Sequence, residues 1–424
     1  MKKIYKLTLM SFCFPLLIQT SPSHAAQPQQ APGSPTRPEL TPQEVATFTQ
    51  ENYFSRGGLL TETLSDAWVP DEQVKTDEST PWVVGKDAAY QTVQQALNAA
   101  LKEKSASPES RIYIKILPGT YVGTLYIPAD APPVTLFGSG ENPQQVVLSL
   151  ALDSMISPEV WRETVNSQGQ YQPGDPAWEM YQTCATSPEE VVTTLCSAVV
   201  WSQNNGFQLT NLTVENSLLD TVDSSAHQGV ALRTDGDKVQ IDNVRLIGRQ
   251  DTFFVNTSDK HNRYVTDRIS RALIKDSYIE GDVDYVFGRA TAVFDGVHFH
   301  TVSSRTADGA YVLAPNTLTD NPYGFLVTRS RFTSDDGFGE KNHAQSGRAW
   351  DQGARATGYI PGKTSNGQAV IMLSTFDSGY DAHSPWGPAA TTNRAFRGNI
   401  AQDRDLNNIE FNRLWEFNNT RQVK

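Results

Sequence analysis

VQIDNVRL, residues 239–246, decides the fold. Val239 and Ile241 alternate with polar residues as a strand does, Asn243 interrupts, and Val244 and Leu246 resume the alternation. The unit returns as ALIKDSYI, 272–279, with Asp276 at the interruption, and appears earlier as QLTNLTV, 208–214, with Asn211 there. Weaker copies stand at 291–299, 325–332 and 369–376. Asn and Asp suit the left-handed backbone of a sharp bend. Repeats at roughly 20–45 residues, rich in β-branched side chains and without helices between, fit coils of a parallel β-helix. Each coil buries its apolar residues on its neighbours, so strand pairing runs along the whole axis. A β-sandwich would need tight hairpin turns between strands, and Asp336-Gly337 is one of few candidates.

Upstream, Val93, Ala96, Leu97, Ala100 and Leu101 form one stripe of a helix over 89–103, suited to plugging the exposed N-terminal end of the solenoid. Ile112, Ile114 and Ile116 open the strands. Residues 155–205, with Trp161, Trp178, Cys184 and Cys196, break the rhythm and read as a long excursion rather than a separate domain. Thr41-Pro42-Gln43-Glu44 has the pattern of a helix N-terminus.

Met1-Lys2-Lys3, Lys6 and the apolar run 7–18, followed by Ser23-His24-Ala25, have the form of a secretory signal peptide, residues 1–25. The run is shorter than the ~20 residues a membrane span needs. Lipidation at Cys13 is the rival, but the bulky Phe12 precedes it. Losing three lysines with the leader would take the formal charge of −12 to −15. Such acidity makes nucleic acid and anionic membranes poor partners. Export, periplasmic or extracellular, favours a Cys184–Cys196 bridge over two buried free thiols. Residues 26–80 read as a low-complexity linker and N-terminal extension, and 81–424 as the β-helix domain, with 155–205 a disulfide-pinned insertion.

The chemistry sits in QGVALR (228–233), GRQDTF (248–253) and GDVDYVFG (281–288). Asp251 and Asp284 are 33 residues apart, like Asn243 and Asp276. Equivalent positions on successive coils stack at about one strand spacing, ~4.8 Å. Two carboxyl groups so placed separate in proton affinity, one a charged nucleophile and one a protonated acid.

These blocks, with GTY (119–121), GRAW (347–350) and the tail RLWEFNN (413–419), resemble the signature segments of the pectin methylesterases, carbohydrate esterase family 8, over most of 82–424. The resemblance implies an all-β, right-handed parallel β-helix that hydrolyses methyl esters of polygalacturonate to pectate and methanol, with pectin as partner and neither cofactor nor metal. It implies Asp284 as nucleophile, Asp251 as general acid and then base, Gln228 and Gln250 as oxyanion donors, Arg348 as the partner of Asp284, and Trp350 and Phe287 as sugar-subsite aromatics. It also implies a monomer. Gln228 and Gln250 equally fit a structural amide ladder, and Trp350 and Phe287 a core role. Asp282 reads as a turn or solvated residue. His298 and His300 alternate on a strand without a third metal ligand. The family pattern commonly has glutamate where Gly123 stands and proline where Ala349 stands, which bears on specificity and on the backbone around Arg348. Other ester or acyl-CoA thioester hydrolysis on this scaffold, or saccharide binding without catalysis, are the rival functions.

Overall fold

The computed structural model describes residues 31–61, 65–104, 110–259, 261, 263, 267–306, 309–339 and 342–422. The leader expected at 1–25 lies outside them. Among these residues, three long parallel sheets of ten, nine and seven strands wind around one core. Every neighbouring pair in the three sheets is parallel, as a β-helix requires and a hairpin-built sandwich does not.

The repeat units are the rungs. Gln208–Thr210, Val239–Asp242 and Arg271–Lys275 are neighbours in the ten-stranded sheet. Thr213–Asn216, Arg245–Ile247 and Tyr278–Gly281 are neighbours in the nine-stranded one. Asn211, Asn243 and Asp276 form the bend between the sheets with φ of 53°, 53° and 47°, as the repeat implies. The bend continues through Arg329, Leu373 and Asn418, where neither Asn nor Asp marks the first two. Asn243 Nδ2 donates to Asn211 Oδ1 at 3.2 Å, so the bends form a ladder. Inside, Phe299, Phe332 and Phe376 stack at 4.8 and 4.2 Å between ring centroids.

The helix Val93–Lys104 buries Val93, Ala96, Leu97, Ala100 and Leu101 on the first rungs and closes the N-terminal end. The opposite end is closed differently. The stretch 26–80 is not a loose linker in its described part. Leu40, Phe48, Tyr53 and Phe54 bury themselves with Trp415, Val370, Leu326 and Val293 on the outer face of the ten-stranded sheet. Leu40 N–H donates to Glu416 O at 2.8 Å, covering the edge of the last strand, Arg413–Phe417. The expected helix start is present: Thr41 caps Glu44, and Glu44 returns to the Thr41 N–H at 2.7 Å, though the helix is only Pro42–Val45.

The excursion carries two eight-residue helices, Pro158–Val165 and Trp178–Ala185, that periodicity alone is too short to reveal. Cys184 and Cys196 are bridged, with Cα atoms 5.7 Å apart. Trp161, Tyr171 and Tyr181 pack with Trp201, Phe254 and Phe287 over the outer face of the seven-stranded sheet. The chain has already rejoined that sheet at Val200–Ser202, so the excursion ends earlier than 205.

Candidate active site

The site lies where the chain enters consecutive strands of the seven-stranded sheet. Phe253 pairs with Val286, an offset equal to the 33 residues between Asp251 and Asp284, so the two aspartates begin adjacent rungs. Asp251 N–H donates to Val283 O at 3.0 Å. Both aspartates have left-handed backbone, φ 67° and 50°. Thr193 and Thr391, on the walls of the same cleft, do too, at φ 60° and 77°. Aspartate tolerates this backbone, but for the two threonines it is strain of about 1–3 kcal/mol each, of the kind that gathers at functional sites. The GDVDYVFG segment ends on Gly288 at φ 127°, where a Cβ would strike the Val255 carbonyl.

Arg348 comes from two rungs beyond Asp284. Its backbone N–H donates to Leu313 O at 2.8 Å. Its Nε and Nη2 donate to Asp284 Oδ1 and Oδ2, both at 2.7 Å, a bidentate pair. The guanidinium lies 4.0 Å from the centre of the Tyr311 ring. Tyr311 thus supports the arginine from below, and nothing in its sequence context indicates this.

Asp251 is 9% exposed and, among the described residues, has no cationic partner at ion-pair distance. Burial pushes its carboxyl well above the usual range, the Asp284 charge adds to that, and Arg348 partly offsets it. The cleft therefore holds one carboxylate in an arginine fork beside a second carboxyl that favours its proton.

Gln228 and Gln250 face the same cavity of 460 Å³, together with Phe287, Trp350 and the aspartates. Gln228 Oε1 accepts from the Ser154 hydroxyl at 2.6 Å. Gln250 follows Arg249, whose guanidinium bridges Asp220 and Glu280 at 2.7 and 2.9 Å. Phe287 is almost buried, stacked on Phe254 at 4.2 Å, and forms cleft floor as well as packing. The Trp350 ring stands 5.7 Å from it. Ala349 is buried, and its carbonyl accepts from Ala390 N–H at 2.8 Å, so the backbone beside Arg348 is fixed without proline. Gly123 has φ 139°, a conformation that glutamate would strain to adopt.

Asp282 sits at a bend, its Oδ1 accepting from the Val283 N–H at 2.6 Å, but it is not solvated. It is fully buried and ion-paired with Arg305 at 3.4 Å. A repeat-based reading places an aspartate on a rung but cannot foresee a buried arginine from a later loop. Sequence reasoning also missed Thr193, Leu195, Arg355 and Thr391, which wall the cavity from loops without periodic signal. His298 and His300 both contact Thr333 Oγ1, at 2.7 and 2.8 Å. Among the described residues no group of three His, Cys, Asp or Glu side chains is arranged to hold a metal, and no helix is long and apolar enough to cross a membrane.

Residues 174–358 match the family model described as Pectinesterase. Over 91% of its length the chain is 59% identical to pectinesterase B of Dickeya dadantii, covering 90% of that protein. It is 43% identical to the putative acyl-CoA thioester hydrolase YbhC of Escherichia coli over 94% of this chain and 91% of that protein. Among solved structures, rice weevil pectin methyl esterase superposes with a TM-score of 0.82 at 35% identity, covering 93% of this chain and 99% of the other.

Proposed function

The chain belongs to the pectinesterase family, and from that premise we propose that it removes methyl esters from polygalacturonate, yielding pectate and methanol. The observation that carries this reading is the Asp284–Arg348 fork beside the buried Asp251, whose carboxyl burial pushes up.

In the proposed mechanism Asp284 attacks the ester carbonyl carbon, directed by Arg348. The carbonyl oxygen becomes an oxyanion, which the Gln228 and Gln250 amides stabilise. Asp251 passes its proton to the departing methoxide, and methanol leaves an acyl-enzyme on Asp284. Asp251, now a carboxylate, takes a proton from water as the water oxygen adds to the acyl carbon. The bond to Asp284 breaks, the galacturonate carboxyl is released and both aspartates return to their starting states. Neither a metal nor a cofactor enters these steps. Trp350 and Phe287 pack on sugar rings along the cleft.

All of these residues come from one chain, consistent with action as a monomer. The leader-like start and the Cys184–Cys196 bridge support export.

The 43% identity to a putative acyl-CoA thioester hydrolase keeps a second reading in view, since two carboxyl groups and an oxyanion site also serve thioesters. Methanol release from methylated pectin, measured beside thiol release from an acyl-CoA, tests both. Thiol release without methanol would overturn the pectin assignment.

A further inference from the structure

A glutamine amide has a donor end and an acceptor end, and only the donor end stabilises an oxyanion. Something must therefore choose which end of Gln228 faces the cleft. We propose that Ser154 is the positioning residue that makes this choice. This rests on the oxyanion role given to Gln228 above.

Three hydrogen bonds join the two residues, which are 74 apart in sequence. Ser154 Oγ donates to Gln228 Oε1 at 2.6 Å. The Gln228 backbone N–H donates to the same Oγ at 3.2 Å, and Ser154 N–H donates to Gln228 O at 2.9 Å. The Gln228 N–H occupies one lone pair of the serine oxygen, and the hydroxyl hydrogen goes to Oε1 across the 2.6 Å contact. That oxygen is drawn away as an acceptor, and the Nε2 group is the end left for the cleft. Ser154 is 1% exposed, so water does not compete for its hydroxyl.

The pair is itself held on both sides. Asp153 Oδ2 meets His227 Nδ1 at 2.7 Å. Arg305, ion-paired with buried Asp282, reaches the Ser225 and His227 carbonyls at 3.3 and 3.5 Å. The Ser154 carbonyl accepts from Thr193 N–H at 2.9 Å, tying this contact to the disulfide-bridged wall. Asp282 is two residues from Asp284 in the chain, so these contacts join the Gln228 segment to the segment that carries Asp284.

A double-mutant cycle between Ser154→Ala and Gln228→Ala tests the proposal, read on methylated pectin and on p-nitrophenyl acetate. Ser154→Ala is expected to lower kcat about tenfold or more, short of the ~10²–10³ that losing an oxyanion donor costs, with KM nearly unchanged. Ser154→Thr, which keeps the hydroxyl, recovers most of the rate. In the Gln228→Ala background Ser154→Ala should change kcat less than about twofold, because there is no amide left to orient. An equal loss in both backgrounds would show a merely structural serine and overturn the proposal, as would native kcat in Ser154→Ala. Ser154→Cys, close in size and a weak donor, repeats the cycle should the alanine variant not fold. The activated ester reads the coupling whether or not pectin is the substrate. Failure of the pectin reading would appear separately, as a wild-type enzyme that releases no methanol.

Discussion

Asp251 and Asp284 stand two residues before Phe253 and Val286, which are direct partners in the seven-stranded sheet, so strand register alone brings the two carboxyl groups onto neighbouring rungs. What separates their surroundings is the third dimension. Arg348 grips Asp284 through two hydrogen bonds of 2.7 Å, and Asp251 is left buried without a cation of its own.

Asp284→Asn keeps the shape of the site and removes the charge to which the proposed mechanism gives the attack. We expect at least a ~10³-fold loss of kcat on methylated pectin. Arg348→Lys retains the positive charge but not the fork, and misplacing the nucleophile in this way should cost on the order of 10²-fold. Initial rates of methanol release check both. An Asp284→Asn protein with a tenth of native activity would remove Asp284 from the mechanism.

Asp251→Asn should slow methyl ester hydrolysis steeply and hydrolysis of esters with better leaving groups less, because only a poor leaving group needs the proton. The variant should also differ in stability. A carboxyl whose proton affinity is raised on folding supports the fold fully below its ordinary value of 3.8 and loses that support as pH rises through its raised value. An amide at this position does not titrate and has no such loss. The thermal midpoint of the variant relative to wild type should therefore rise with pH, measured from about pH 4 upward.

His298 gives the opposite sign. Burial first, then Arg331, His300 and Arg245, lower it from 6.5 to about 4. Arg331 donates to its Nδ1 at 2.8 Å, which requires the neutral ring. The support of neutral His298 is complete above about pH 6.5 and is lost as pH falls toward about 4. His298→Gln should flatten the acid side of the stability profile over that window. An unchanged slope in urea midpoints between these pH values would refute it.

Breaking the Cys184–Cys196 bridge should lower stability by ~2–3 kcal/mol in the chain-entropy model. It should also raise KM, because Thr193 and Leu195 wall the cleft within the bridged segment. Mass spectrometry without reductant should find the two cysteines joined in the wild-type protein, and steady-state kinetics on the double serine variant should find the KM effect.

The N-terminal segment shows where sequence reading stops. Residues 31–59 have no period of their own, and their proline- and glutamine-rich approach resembles a linker. They are ordered by partners more than two hundred residues away, as when Phe54 meets Arg271, Tyr53 reaches Gln368 and Leu40 reaches Glu416. Asp282 and Ser154 are similar. Their partners arrive from loops whose lengths vary from coil to coil, so no spacing announces them.

The sequence by itself determined the coil, its bends at Asn211, Asn243 and Asp276, the capping helix, and the pairing of Asp251 with Asp284. A solenoid permits this because each coil contacts chiefly the next, and a repeat distance in the chain is a register in space. Only the tertiary structure decided how deeply Asp251 is buried, what supports Arg348, and which atom of Gln228 meets Ser154. Those depend on burial and on single hydrogen bonds between distant loops, and neither leaves a period in the chain.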